Sequence, residues 1–185
     1  MHNFKLIKQN IDVSSFLGEC ARNKIWDQAI IRKEQLDTHT INLRRYSPNI
    51  DIDPTKNHEH IKTPEADQLP LLYSFAENFA NKMHGELCRT MLANLKPGGR
   101  VSLHRDTGEY YMKINRYHLV LQSEGVTMVS GDEQQIFKTG ELWWFNEKEW
   151  HTAFNNTSTP RIHLIFDVRP YPIGRWALID WISSR

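Results

Sequence analysis

The chain predicts an antiparallel β barrel or jelly roll, mainly β with flanking helices packed on one sheet. Three observations carry that prediction. After Gly85 apolar residues recur at every second position through about eight short segments, glycine-bearing turns separate these segments, and before Gly85 the longest apolar pattern is helical. At 185 residues the length suits a single domain with a real core. Residues 1–85 are expected to supply helices and a strand that support the barrel, 86–170 the barrel itself and 171–185 a C-terminal segment.

Taken in order, Ser14 reads as an N-cap opening a short helix whose Phe16, Leu17, Cys20 and Ala21 share a face. "TINLRRY", 40–46, alternates and reads as a strand. Residues 47–64 are polar and proline-punctuated, which is long for a connection inside a compact domain and typical of a lid or a disordered stretch. From Asp67 as a cap, Leu69, Leu72, Ala76, Phe79 and Met83 recur at helical spacing, Pro70 falls in the first turn, and Gly85 closes the helix. Strands follow at 87–95, 100–104, 116–122, 126–129, 134–137, 142–145, 151–154 and 161–168. Gly98, Gly131 and Gly140 supply the positive φ of the reversals between them. Residues 173–185 read as a terminal helix.

Lys plus Arg number 23 against 22 Asp plus Glu, so no polyanionic partner is called for and nucleic acid is not expected. Cys20 and Cys88 lie far apart, form no CxxC and read as buried small hydrophobes in a reducing compartment. The N-terminus lacks a signal-length apolar run, and no stretch approaches the roughly 20 apolar residues of a membrane span. A soluble, cytoplasmic protein is the expectation; its oligomeric state is not legible.

Side chains two apart on a strand share a face. In "RYHLVLQ", Tyr117, Leu119 and Leu121 form an apolar side opposite Arg116, His118 and Val120. In "RIHLIFDV", Ile162, Leu164, Phe166 and Val168 oppose Arg161, His163, Ile165 and Asp167. A sheet open to solvent produces the same pattern. His104 and Asp106, also two apart, together with His151 make an H-x-D…H set. Two imidazoles and a carboxylate on one face of a metal leave adjacent positions open, as in non-haem Fe(II) oxygenases, whereas zinc favours a closed tetrahedron.

Through "LKPGGRVSLHRD", "RYHLVL", "GELWWFNEKEWHTAFNN" and "PRIHLIFDVRP", about residues 92–170, the sequence resembles the aspartyl/asparaginyl β-hydroxylase family of Fe(II)- and 2-oxoglutarate-dependent oxygenases. The resemblance implies a double-stranded β-helix (a jelly-roll, cupin-like barrel) and an oxidoreductase. It also implies His104, Asp106 and His151 as iron ligands, Arg161 on the distal carboxylate of 2-oxoglutarate, His118 near that cosubstrate's other end, and Arg116 beside cosubstrate and substrate. A bidentate, always-charged guanidinium suits the Arg161 role. A serine that assists it in some relatives is replaced by Ala93. The implied reaction consumes 2-oxoglutarate and O2, releases succinate and CO2, and hydroxylates a C–H bond of an amino acid, a peptide or a protein residue of Asp/Asn type. A non-catalytic cupin-like metal-binding or sensing module is the alternative, and Arg161 speaks against it.

Other candidates read as follows. His58 and His60 belong to a solvated turn. Trp143, Trp144 and Trp150 belong to the core, and His163 satisfies a buried hydrogen bond. One of Arg44 and Arg45 faces inward, where a substrate carboxylate is one role and the surface another. Tyr110, Tyr111 or Lys113, in the segment after Asp106, touches the substrate.

Overall fold

The computed structural model describes residues 2–31, 35–47 and 59–172. Strand β1 (Phe4–Lys8) is followed by α1 (Ser14–Arg22), β2 (Ile30–Ile31), β3 (Thr38–Tyr46), β4 (His60–Lys62), α2 (Pro64–Gln68) and α3 (Pro70–Lys82). Then come β5 (Gly85–Leu95), β6 (Arg100–His104), α4 (Glu109–Met112), β7 (Asn115–Gln122), β8 (Glu124–Ser130), β9 (Glu133–Lys138), β10 (Leu142–Phe145), β11 (His151–Phe154) and β12 (Arg161–Pro170). The larger sheet runs β1-β10-β7-β12-β5-β3-β2 with β4 on β3, the smaller β6-β11-β8-β9, and each strand pairing is antiparallel.

The predicted parity sorts the layers. Tyr117, Leu119, Leu121, Ile162, Leu164, Phe166 and Val168 face the helices, packing with Leu72 and Ala76 of α3. On the other face Leu95, Val120 and Phe145 of the large sheet meet Val126, Met128 and Phe137 of the small one. The order is therefore helices, large sheet, small sheet, with a jelly roll formed by the two sheets. Between the sheets the apolar packing leaves room for the cavity described below.

Several boundaries differ from expectation for physical reasons. The oxygen at the start of α1 comes from Asp12, whose Oδ1 accepts from Ser14 N (3.0 Å) and Ser14 Oγ (2.7 Å). Ala21 is exposed, and the buried residues of that helix are Glu19 and Cys20. Asp67 lies inside α2; the longer helix begins at Pro70, and the Glu19 carboxylate accepts from Leu71 N (2.9 Å) and Leu72 N (3.2 Å), covering two of its orphan N–H groups. His84, at φ 50, takes the left-handed position after α3. Gly85 instead starts β5, where a Cβ would stand 2.7 Å from the Arg169 carbonyl oxygen. Gly98, Gly131 and Gly140 do adopt positive φ. The N-terminal third contributes four strands rather than one, β1 pairing Phe4 with Phe145.

His60 is no solvated turn: it is 2% exposed, its ring 4.6 Å from that of Tyr46 and 5.0 Å from that of Tyr110. Trp143 stacks on Phe137 in the interior, while Trp150 is exposed against Arg105. Cys20 and Cys88 are free and buried, and burial pushes both thiols up to about 12. His58, most of the long connection and the expected terminal helix lie outside the described residues.

Candidate functional site

His104 ends β6 and His151 opens β11, directly opposite in register, with ring centroids 4.2 Å apart. His104 Nδ1 lies 2.7 Å from the Ser102 carbonyl and His151 Nδ1 2.8 Å from the Glu149 carbonyl. A carbonyl only accepts, so each Nδ1 carries the hydrogen; the His151 Nε2 lone pair is left for the cavity that both rings line, while that of His104 meets the Gln35 amide nitrogen (3.4 Å) on the wall of the same cavity. Burial, reinforced by His104, lowers the His151 pKa to about 4, so its ring is neutral. Asp106 follows the strand end, its N–H bonded to the Glu147 carbonyl (3.0 Å) and its Oδ1 4.0 Å from His104 Nε2. Arg105 between them is exposed, as strand parity requires.

The other oxygen of Asp106, Oδ2, accepts from Arg116 Nη1. Burial opposes ionisation of Asp106, but Arg116 and then Arg89 outweigh it and hold the carboxyl below its usual range. Arg116 donates Nε and Nη2 to Asp167 (2.8 and 2.9 Å), and the Tyr110 hydroxyl donates to Asp167 (2.8 Å). Its donors thus go to two carboxylates, which makes Arg116 a positioner of Asp106 at the cavity wall. Among the described residues no three His, Cys, Asp or Glu side chains converge on one metal position, the Asp106 carboxylate being engaged by Arg116. The donor set itself, two imidazoles and an ionised carboxylate, fits Fe(II).

Arg161 opens β12, lines the same cavity and is 2% exposed. Among the described residues its one polar contact is Nη1 to Met128 Sδ at 3.5 Å, and its Nε has no partner. Burial pulls its pKa to about 10, which leaves it charged at neutral pH. Such a charge is costly without a counter-anion. Thr38 stands in the same transverse row, since Arg161 faces Leu95 and Leu95 faces Thr38; its buried Oγ1 is unpartnered and it too lines the cavity, as does Ala93. His118 and His163 share a hydrogen bond between their Nδ1 atoms (3.2 Å) and both Nε2 atoms are unpartnered. Burial, then Arg161, drives both rings well below their ordinary pKa.

The segment after Asp106 contains α4, and Tyr110 there is fully buried on Asp167, so of the three residues expected at the substrate it is excluded. Lys113 pairs with Glu109. Arg44 donates to the Tyr73 hydroxyl in the helix layer (3.3 Å) and Arg45 is exposed. Sequence reasoning missed Arg89, although it shares parity with Met91 and Ala93.

A jelly roll whose cavity is lined by His104, His151 and a buried Arg161, with the Asp106 carboxylate beside His104, has the make-up of a 2-oxoglutarate-dependent oxygenase. The family model described as aspartyl/asparaginyl beta-hydroxylase matches residues 5–170, and the chain belongs to that family. Among solved structures it is similar to a 2OG-Fe(II) oxygenase-family oxidoreductase from Burkholderia pseudomallei (TM-score 0.58, 9% identity, 91% of this chain and 85% of that one). It is also similar to a Pseudomonas putida prolyl-4-hydroxylase (TM-score 0.55, 16% identity, 93% and 95%) and to the non-heme alpha ketoglutarate dependent carbocyclase SnoK from nogalamycin biosynthesis (TM-score 0.60, 8% identity, 91% and 79%). At these identities the likeness is one of fold. No curated protein matches the sequence. No helix among the described residues is long and apolar enough to cross a membrane.

Proposed function

We propose that His104, Asp106 and His151 hold Fe(II), that Arg161 binds the distal carboxylate of 2-oxoglutarate, and that the enzyme hydroxylates an amino acid or a peptidyl Asp/Asn-type residue. The carrying observation is Arg161: a buried guanidinium with no counter-anion among the described residues, in the cavity that His104 and His151 line. Thr38 takes over the role that a serine at the Ala93 position has in relatives, its unpartnered hydroxyl donating to the same carboxylate. His118 presents an unpartnered Nε2 to the cosubstrate, and His163 fixes its tautomer through the Nδ1 contact. Arg116, itself anchored by Asp167, keeps Asp106 ionised and oriented. Bound metal, with 2-oxoglutarate and O2, supplies the oxidising chemistry, the cosubstrate leaving as succinate and CO2. The chain's own work is to orient these groups and exclude water.

Anaerobic titration with Fe(II) and 2-oxoglutarate tests this. Wild type is expected to develop the visible metal-to-ligand charge-transfer band and His104→Ala to lose it. Arg161→Ala should weaken 2-oxoglutarate by about 100-fold or more, as expected for the anion partner of a buried charge. No band in wild type rejects the oxygenase reading and favours the metal-binding module.

A further inference from the structure

Resting on that reading of the cavity, we propose that Arg89 and Tyr111 form a second carboxylate clamp, which holds an anionic group of the primary substrate and discriminates against the corresponding carboxamide.

Arg89 lies on β5 two residues from Met91 and four from Ala93, both of which line the cavity. A bulge in β5 against β12, where Thr90 faces Phe166 but Leu87 faces Val168, adds one residue at this point. Bulges re-aim side chains beside active sites. Here Cys88 packs with Tyr110 and Ile114, and Arg89 reaches Tyr111. The guanidinium donates Nη1 to the Tyr111 hydroxyl (3.2 Å) and Nη2 to Met91 Sδ (3.8 Å), neither of which carries charge. Among the described residues no carboxylate pairs with it. The two acids whose fields reach it, Asp106 and Asp167, are both bound by Arg116. Because the Tyr111 hydroxyl accepts from Arg89, its own hydrogen remains to be donated, and no acceptor among the described residues takes it. Guanidinium and phenol thus offer donors side by side, the pattern that carboxylates select.

Charge balance calls for one more anion. Arg89, Arg116 and Arg161 stand against Asp106 and Asp167, with the buried Glu147 matched by Lys148 (2.8 Å), leaving one positive charge over in the cavity region. A dipositive metal and a dianionic cosubstrate cancel each other, so that charge persists until a monoanion arrives. The cosubstrate is not that anion. Arg161 pairs across from Leu95, six residues along β5 from Arg89, or roughly 20 Å of extended strand. That exceeds the span of a five-carbon diacid.

The test uses wild type, Arg89→Gln, Arg89→Lys and Tyr111→Phe, loaded anaerobically with Fe(II) and 2-oxoglutarate. The probes are the twenty free L-amino acids and acetyl-aspartate amide, each against its carboxamide counterpart. At least one acid is expected to shift the charge-transfer band and raise Tm, with its carboxamide weaker by 100-fold or more. Arg89→Gln should keep the Fe(II)/2-oxoglutarate band, which controls for folding, yet lose that acid by 100-fold or more. Arg89→Lys should recover part of the loss, and Tyr111→Phe should cost about tenfold. Equal binding of acid and carboxamide, an Arg89→Gln variant within twofold of wild type, or a panel without any response overturns the proposal. Thermal shifts with the same panel on the metal-free chain read Arg89 independently, so a missing band rejects the metal site and leaves the Arg89 result standing.

Discussion

His60 shows how a single side chain couples this fold to pH. It is enclosed by Tyr46 and Tyr110, both ring nitrogens lack partners among the described residues, and burial lowers its pKa from 6.5 to about 4. The unfolded chain therefore binds the proton more readily. Stability from this group is present in full above about pH 6.5 and is lost as pH falls through about 4. His118, His151 and His163 are displaced in the same direction. Chemical denaturation at pH 7 and pH 4.5 is expected to show a steep loss in wild type. His60→Phe, which keeps the ring stack, should reduce that loss by on the order of 2 kcal/mol. Strand parity in the sequence sets His118 and Arg161 on one face, the H-x-D…H set singles out His104 and His151, and in the structure all four line one cavity. Parity could not show that Arg116 spends its donors on Asp167 and Asp106, since those bonds join groups 51 and 10 residues away.

At the scale of elements, α3 depends on a carboxylate from another helix. Glu19 is 3% exposed and serves Leu71 N and Leu72 N across 52 and 53 residues of chain. Glu19→Ala leaves those N–H groups unmatched in a buried setting, and urea denaturation should show a loss of about 1–3 kcal/mol; Glu19→Gln, which retains one acceptor, should lose less. Helical periodicity marked α3 well but misjudged its start, because the capping oxygen is not local. The short helix in residues 107–115 is not legible in the sequence for a similar reason. It is held by burial of Tyr110 on Asp167 and has no periodic signature of its own. Arg89 escaped notice although it keeps the parity of Met91 and Ala93, because its partner Tyr111 lies 22 residues away in a segment without strand alternation.

Across the whole molecule, the two sheets are tied at one corner by Asn155, which is fully buried. Its Nδ2 donates to the carbonyls of Leu95 (3.1 Å), Lys96 (3.1 Å) and Thr159 (2.8 Å), and its backbone exchanges hydrogen bonds with Gly98 and Gly99. The β5–β6 turn and the β11–β12 connection are thereby locked together, and with them the ends of the strands that carry His104, His151 and Arg161. Asn155→Ala orphans several carbonyls. It is expected to cost about 3 kcal/mol and lower Tm by roughly 6–12 °C in a thermal melt. The barrel class was legible because turns and two-residue alternation are local signals. Sheet membership was not, because β1, β2 and β4 are short edge or near-edge pieces whose partners lie elsewhere in the chain.

Those edges have a further consequence. The strands bearing Arg89, Arg116, His118 and Arg161 are bonded on both sides, while at one edge the large sheet stops at β1, whose "FKLIK" carries Lys5 and Lys8. A charged rim there discourages a neighbouring molecule from adding a strand. The sheet that builds the cavity is thus guarded on that side against edge-to-edge aggregation by residues that take no part in the cavity itself.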